Sequence, residues 1–252
     1  MSVTPVYGGP VCGRYVSSSS AERIAEHFGA TIGAELADGG LPASYNVAPT
    51  NDVFGLVEGP DGIPVLRVFH WGLVPVWAKD EKIGSKMINA RAETLATKSV
   101  FKPLLAKRRC IVPMDGFYEW KPGQPGGPLT KAGKPVKQPV YIHSISGEPL
   151  AVAGLWTAWR DKQAPAGENQ PWLHSCTIIT TDANATMAPV HDRMPAILPE
   201  SRWQEWLDAD EHDLSTLQSM LTPAADDLLT LHLVGLAVNN VRSSGPELIL
   251  PT

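Results

Sequence analysis

The sequence predicts one α+β domain, built on a mainly antiparallel, curled or barrel-like β-sheet with short flanking helices. Its 252 residues are many for one domain and few for two. Short apolar runs separated by turn residues outnumber the segments with helical periodicity. Strands and helices do not alternate regularly along the chain, which disfavours a parallel doubly wound sheet.

The clearest local signals are one helix and one hairpin. Ser19 and Glu22 have the spacing of a capping box, so we expect a helix that runs from there to Gly29. Residues 53–57 and 64–69 are two apolar runs on either side of Gly-Pro-Asp-Gly, a pattern typical of a β-hairpin.

The remaining predicted elements are short and lie between turn-rich segments. Further strands are expected at residues 11–16, 110–112, 117–120, 140–145, 150–156, 176–181 and 229–236. Helices are expected to end near residue 98 and to cover residues 200–207. Loops are expected at residues 31–50, 121–139 and 160–170.

The net charge of −5 is unevenly distributed. Residues 79–137 contain 13 basic and 5 acidic residues, whereas the rest of the chain is strongly acidic. A basic middle segment in an acidic chain indicates a face that meets a polyanion. The simpler alternative is a solvated surface loop, and charge alone favours that alternative.

The composition also excludes several classes of protein. No apolar run is long enough to span a membrane, and residues 1–11 lack the features of a signal peptide, so we expect a cytoplasmic protein. The three cysteines, Cys12, Cys110 and Cys176, form no CxxC pair, which argues against a zinc site or a disulfide framework. No phosphate-binding glycine loop is present, and we expect no metal or organic cofactor.

The first polar segment that could carry chemistry surrounds Cys12. Gly13 allows close approach of the backbone to another group, and Arg14 is expected to lower the pKa of the Cys12 thiol. The alternative is a cysteine buried in the core, which is the commoner role of a free cysteine.

Three further segments contain residues suited to binding or proton transfer. Asn89 and Arg91 point to the same side of an extended segment, and the guanidinium could bind a phosphate. Glu119 ends an aromatic strand, where burial would raise the pKa of its carboxyl. His191 lies in a loop between two prolines and titrates near neutral pH. The alternatives are a capping Asn with a surface ion pair, a structural salt bridge and a hydrogen-bonded loop histidine.

Three of the eight tryptophans, Trp71, Trp77 and Trp120, lie beside these polar segments. Exposed indole rings next to basic residues stack on the bases of single-stranded nucleic acids. The alternative is that all eight rings pack in the core or against the surface.

Together and in this order, six motifs resemble one family, the SOS-response-associated peptidases or abasic-site processing proteins (SRAP). They are Cys-Gly-Arg-Tyr at 12–15, Tyr-Asn-Val-Ala-Pro-Thr at 45–50, Trp-Gly-Leu-Val-Pro-Val-Trp at 71–77, Asn-Ala-Arg-Ala-Glu-Thr at 89–94, Gly-Phe-Tyr-Glu-Trp at 116–120 and His-Asp-Arg-Met-Pro at 191–195. The resemblance covers nearly the whole chain from Cys12 onward.

The resemblance implies that the protein senses abasic sites in single-stranded DNA, forms a covalent crosslink with them and protects them during replication. The implied catalytic residues are Cys12, Asn89, Glu119 and His191. The implied DNA-binding residues are Arg14, Trp71, Trp77, Arg91, Trp120 and Arg193. The resemblance further implies an autopeptidase and lyase-type activity, and we expect a monomer that is associated with the nucleoid when it is bound to DNA.

The implied crosslink is a thiazolidine, which requires a cysteine at the N-terminus. The α-amine condenses with the C1′ aldehyde of the opened sugar, and the thiol then closes a five-membered ring. We expect Glu119 to move protons at the amine and the ring oxygen, His191 to assist ring opening and reversal, and Asn89 to orient the amine or the sugar. The basic segment 79–137 would then bind phosphates in a salt-dependent way.

Eleven residues precede Cys12, and with them attached it has no free amine. Three explanations are open. Translation could start at Val11, because a GUG codon is read as Met at initiation. The chain could cleave itself before Cys12, with Glu119 and His191 assisting. Alternatively, this member has lost crosslinking. The expected arrangement is an extension of residues 1–11, removed or not translated, and a domain of residues 12–252.

Two functions from other classes are also consistent with the sequence. A thiol hydrolase would use Cys12 and His191 on a peptide or an amide, and would not require a free amine. A non-catalytic module for single-stranded DNA would need the tryptophans and arginines but not Cys12.

Overall fold

The computed structural model of the protein describes residues 12–37, 39–123, 126–130, 132–161, 172–211 and 213–252. The predicted extension 1–11, most of the predicted loop 160–170 and three residues of the predicted loop 121–139 lie outside this part of the chain.

The described residues form thirteen strands and four short α-helices. The strands are β1 (Tyr15–Ser17), β2 (Thr31–Ile32), β3 (Ser44–Val47), β4 (Asp52–Val57), β5 (Val65–Trp71), β6 (Asn89–Arg91), β7 (Arg109–Met114), β8 (Gly116–Lys121), β9 (Gln138–Ser144), β10 (Leu150–Trp159), β11 (Leu173–Asp182), β12 (Arg193–Pro195) and β13 (Leu229–Leu233). The helices are α1 (Ala21–Phe28), α2 (Lys102–Lys107), α3 (Trp203–Leu207) and α4 (Leu214–Ser219).

Five strands close into a barrel. They follow the order β11-β10-β7-β4-β5, and β5 returns to pair with β11 in a parallel orientation at Trp71 and Cys176. The predicted hairpin forms β4 and β5 and is confirmed. Strands β6 and β12 extend β11 on its two sides toward its C-terminal end, and this end carries several of the candidate site residues.

A second, antiparallel sheet follows the order β13-β9-β8-β1-β3 and packs against the barrel. One hydrophobic core lies between the two sheets and contains Tyr15, Trp71 and Phe117. Another joins barrel residues to the helices through Ile24, Trp206 and other side chains. The predicted α+β class with a barrel-like antiparallel core is therefore confirmed.

Several local predictions differ from the structure. The N-cap of α1 is Ser20, which accepts from the Arg23 amide, because the Ser19 hydroxyl instead donates to Asp115. The helix expected to end near residue 98 is replaced by β6 and a single 3₁₀ turn, because this segment pairs with β11. Strand β3 lies inside the expected loop 31–50. Within the described ranges, no helix is long and apolar enough to cross a membrane.

Candidate active site

Cys12 and Glu119 are brought together by the pairing of β1 with β8. Tyr15 lies opposite Phe117, and the Tyr118 amide donates to the Arg14 carbonyl, so the residues before β1 lie beside the end of β8. The backbone nitrogen of Cys12 donates to Glu119 Oε1 at 2.6 Å. This hydrogen bond joins two of the residues that were predicted to be catalytic.

The carboxyl of Glu119 is almost fully buried, with 3 % of its surface exposed. Burial raises its pKa to about 7, although hydrogen bonds from the amides of Cys12 and Trp120 act in the opposite direction. The charge of Lys137 lowers this pKa and that of Asp192 raises it. A carboxyl with this pKa is present in both protonation states at neutral pH, so it can both accept and return a proton.

The thiol of Cys12 does not behave as predicted. Burial raises its pKa well above the ordinary value, and the nearby Glu119 raises it further. Arg14 does not counter this effect, because its guanidinium donates to Asn46 Oδ1 at 2.9 Å and to the Val238 carbonyl at 3.0 Å. The expectation that Arg14 lowers the pKa of this thiol is wrong.

The backbone of Cys12 is not that of a regular strand. Cys12 has a φ of 50°, in the left-handed region that residues other than glycine rarely adopt. The first regular strand, β1, begins only at Tyr15.

His191 is buried in the loop before β12, with 7 % of its surface exposed. Its Nδ1 accepts from the Arg193 amide at 3.1 Å and lies 2.8 Å from Asp192 Oδ1. Burial lowers the pKa of this imidazole, and the charge of Asp192 acts against that effect. The neutral ring therefore keeps Nδ1 as an acceptor, and the protonated ring donates to Asp192.

Asn89 and Arg91 lie on β6, where the predicted extended backbone is confirmed. Asn89 is half-buried opposite Ile178 of β11, and Arg91 is exposed opposite Thr180. Because β12 pairs with the same end of β11, the segments that carry Asn89 and His191 flank one strand.

Arg193 takes part in an internal network. Its guanidinium donates to both carboxylate oxygens of Glu93, at 2.6 and 3.1 Å, to Asp182 Oδ1 at 2.9 Å and to the Thr180 carbonyl at 2.7 Å. Its side chain is 13 % exposed. This network joins β11, β12 and the turn after β6.

The three candidate DNA-binding tryptophans lie in different surroundings. Trp71 is fully buried, packs edge-on against Tyr15 and donates from Nε1 to the Ile88 carbonyl, so its ring has no free face. Trp120 is half-buried and donates to Asn239 Oδ1 at 2.6 Å. Trp77 is 62 % exposed. Of these rings, Trp77 offers the largest surface for stacking.

Two residues that influence the site were missed in the sequence. Lys137 lowers the pKa of both Glu119 and His191, so its ammonium lies within electrostatic range of both. Asp192 acts on the same two groups. Asp192 could have been found from its position beside His191, whereas Lys137 lies inside the long predicted loop 121–139 and was noted only as part of the basic segment 79–137.

Comparisons with known proteins identify the family of this chain. The profile of the family "SOS response associated peptidase (SRAP)" matches residues 11–241. This chain belongs to the SRAP family. A Bacillus subtilis relative named abasic site processing protein YoqW is 40 % identical over 239 residues, which cover 95 % of this chain and 99 % of that protein.

The similarity also extends to an animal protein and to crystal structures from two bacteria. The Gallus gallus abasic site processing protein HMCES is 33 % identical over 86 % of this chain and 68 % of its own length. A crystal structure of a Bacteroides thetaiotaomicron protein superposes with a TM-score of 0.80 and 25 % identity, and covers 96 % of this chain and all of that one. A Bordetella bronchiseptica structure gives a TM-score of 0.68 at 28 % identity, over 89 % of this chain and all of that one.

Proposed function

We propose that this protein captures abasic sites in single-stranded DNA through a covalent bond between Cys12 and the opened sugar. The observation that carries the proposal is the 2.6 Å hydrogen bond from the Cys12 nitrogen to the buried Glu119 carboxyl. The names of the relatives, abasic site processing proteins, point to the same substrate.

In the proposed reaction, Glu119 first activates the amine. An N-terminal ammonium at the position of the Cys12 nitrogen transfers a proton to the carboxylate and becomes a nucleophile. Because the pKa of Glu119 is about 7 and that of an α-amine is about 8, this transfer is nearly balanced at neutral pH. Protonated Glu119 then returns the proton to the sugar ring oxygen as the ring opens to the aldehyde.

The covalent bond forms in two steps. The amine adds to the C1′ aldehyde, and loss of water from the adduct gives an imine. The Cys12 sulfur then adds to the imine carbon, its proton passes to the nitrogen, and a thiazolidine ring results. The raised pKa of this thiol keeps it protonated until the imine is present, so the amine reacts first.

His191 and Asn89 have supporting roles in this proposal. The imidazole exchanges a proton with the sugar hydroxyls during ring opening and during reversal of the crosslink, and Asp192 stabilises its protonated form. Asn89 orients the sugar by hydrogen bonds from β6 without adding charge.

For DNA binding we propose Arg91 and Trp77 as direct contacts, because both side chains are exposed. Trp120 contributes its half-exposed edge. The other three candidates make their contacts inside the protein and hold the DNA-contacting segments in place; they are Trp71, Arg14 and Arg193. The active form is a cytoplasmic monomer that joins the nucleoid when it is bound to DNA, and it protects the abasic site during replication.

The proposed chemistry requires Cys12 to be the first residue of the working form. Initiation at Val11 or self-cleavage before Cys12 would provide it. In self-cleavage, the Cys12 sulfur attacks the preceding carbonyl, the nitrogen leaves with a proton from Glu119, and water hydrolyses the resulting thioester. Glu119→Gln should then leave residues 1–11 attached, whereas a late translation start would give the mature N-terminus in that variant as well.

The decisive experiment compares the chain that begins at Cys12 with the chain that retains residues 1–11. We expect the first to form a covalent product with an abasic oligonucleotide and the second to form none until it is cleaved, as read by denaturing gel and by N-terminal peptide mass. Cys12→Ser in the first chain should abolish the product and keep reversible binding. Equal covalent yield from both chains, with residues 1–11 still attached to the second, would show that the bond needs no free α-amine and would overturn this mechanism.

A further inference from the structure

A second basic and aromatic surface lies away from Cys12, at the N-terminal end of β11. It is an open groove of about 610 Å³. The described residues that line it are Val76, Leu104, Arg108, Thr157, Ala158, Trp159, Arg160, Trp172 and His174. None of these residues carries a carboxylate, although the protein as a whole has a net charge of −5.

Two arginines that line this groove each place their guanidinium over an indole ring. The guanidinium of Arg108 lies 4.3 Å from the ring centroid of Trp156, and that of Arg160 lies 5.2 Å from the ring of Trp172. Trp172 is 56 % exposed and Arg108 is exposed as well. Exposed indoles paired with arginines are the groups that stack on nucleobases and bind phosphates.

The lining of the groove also includes the uncharged imidazole ring of His174. The His174 ring packs edge-on against Trp156. Burial lowers the pKa of His174, the charges of Arg67 and Arg108 lower it further, and the charge of Glu35 acts against them. The imidazole is therefore neutral at pH 7, and the positive charges that line the groove are the guanidinium groups of Arg108 and Arg160.

The groove adjoins the proposed DNA surface through the loop that carries Val76 and Trp77. Val76 lines the groove and precedes the exposed Trp77. The loop that carries both is fixed on β11, because the Val74 amide donates to Ser175 Oγ at 2.8 Å. Along β11, His174 is four residues from Ile178, which faces Asn89, a separation of about 13 Å.

We propose that this groove binds a nucleotide of the same DNA strand, several positions away from the abasic site. Trp172 would stack on the base, and Arg108 and Arg160 would bind the neighbouring phosphates. At about 3.4 Å per stacked nucleotide, the separation corresponds to roughly four nucleotides. The inference rests on the proposed function and adds a second subsite to it.

The test uses oligonucleotides of two lengths with a tetrahydrofuran abasic analogue, which has no aldehyde and therefore binds reversibly. The short probe has one nucleotide on each side of the analogue, and the long probe has ten. Wild-type protein should bind the long probe more tightly. Trp172→Ala should weaken binding of the long probe by about tenfold and leave the short probe unchanged.

Arg108→Ala with Arg160→Ala should lower the salt dependence of long-probe binding, by a slope of about 1.4 for two single-strand phosphates. Arg202→Ala is the matched control, because Arg202 pairs with Glu205 and lies outside the groove, and it should change neither quantity. Melting temperatures of all variants should match the wild type.

The outcomes separate the subsite from the main proposal. Equal losses with both probes, or no loss with either, would overturn the subsite while abasic-site binding stands. If wild-type protein binds neither probe, the proposed function itself fails.

Discussion

Glu119 and Glu93 are both near the proposed site, but their surroundings have opposite effects. Glu119 is buried, and backbone N–H groups of Cys12 and Trp120 are its hydrogen-bond donors; its pKa rises to about 7. Glu93 is half-exposed and receives two hydrogen bonds from Arg193. Burial acts to raise the pKa of Glu93, but Arg193, a hydrogen bond from the Glu93 amide and the charge of Arg91 together outweigh it, and the pKa is lowered.

The comparison separates a carboxyl suited to proton transfer from one suited to holding structure. Burial keeps the Glu119 carboxyl partly protonated near neutral pH despite its N–H donors, whereas a carboxylate that pairs with a guanidinium stays ionised. Glu119 can therefore take part in acid–base chemistry. Glu93 instead fixes Arg193 and, through it, the position of the loop that carries His191.

The largest expected effect concerns the role of Glu119 in proton transfer. Glu119→Gln keeps the shape of the side chain but removes its proton exchange, and it should slow crosslinking by about 10²-fold or more. Binding of a tetrahydrofuran analogue should change by less than about threefold. Both are measured on the chain that begins at Cys12, by quenched gel time courses and by fluorescence anisotropy.

Glu93→Gln is the matched control for this substitution, because it makes the same change in the ion-paired carboxylate. It should keep the pH dependence of the wild-type rate, including an inflection near pH 7 that Glu119→Gln loses. If both variants slow the reaction equally and keep that inflection, Glu119 has no special role in proton transfer.

The second prediction concerns stability and follows from the raised pKa of Glu119. Folding favours the protonated carboxyl, so the stabilisation is fully present below pH 4.5, the ordinary pKa of Glu, and is lost as the pH rises through about 7. The wild type should therefore lose about 2–3 kcal/mol relative to Glu119→Gln between about pH 5 and pH 8. Urea unfolding of both proteins at the two pH values measures this difference, and a constant difference would contradict the assignment.

The smallest expected effects separate the structural role of Arg193 from the proposed DNA-binding role of Arg91. Arg193→Ala leaves Glu93 and Asp182 without their shared cation and should destabilise the fold by about 1–2 kcal/mol. Arg91→Ala should leave stability unchanged within about 0.5 kcal/mol, because Arg91 is exposed, and should weaken DNA binding with a reduced salt slope. Thermal melts and salt titrations of the two variants separate the roles. The reverse pattern would place Arg193, rather than Arg91, on the DNA.

Much of the fold could be predicted from local patterns in the sequence. The hairpin of β4 and β5 follows from apolar runs beside turn residues, and the burial of Glu119 follows from its aromatic neighbours. The parallel pairing of β5 with β11, which closes the barrel, could not be predicted, because it joins residues about a hundred positions apart and leaves no local pattern.

The errors at the site also have physical causes. Spacing alone placed Arg14 beside Cys12, but its guanidinium donates to Asn46 and to the Val238 carbonyl, partners that lie far away in the sequence. Trp71 and Trp77 are similar in sequence context, yet one is buried between the sheets and the other is exposed in a loop. Burial of an aromatic residue depends on distant strands, so motif membership could not separate the two.

The contacts of Arg14 and Asn46 have a consequence for synthesis of the chain. Both side chains bond to carbonyls beyond residue 237: Arg14 to Val238, and Asn46 to Asn240 and Ser243. The segment next to Cys12 therefore lacks these partners until the ribosome has released residues that lie about two hundred positions later. During translation this segment therefore emerges long before it can become fully ordered.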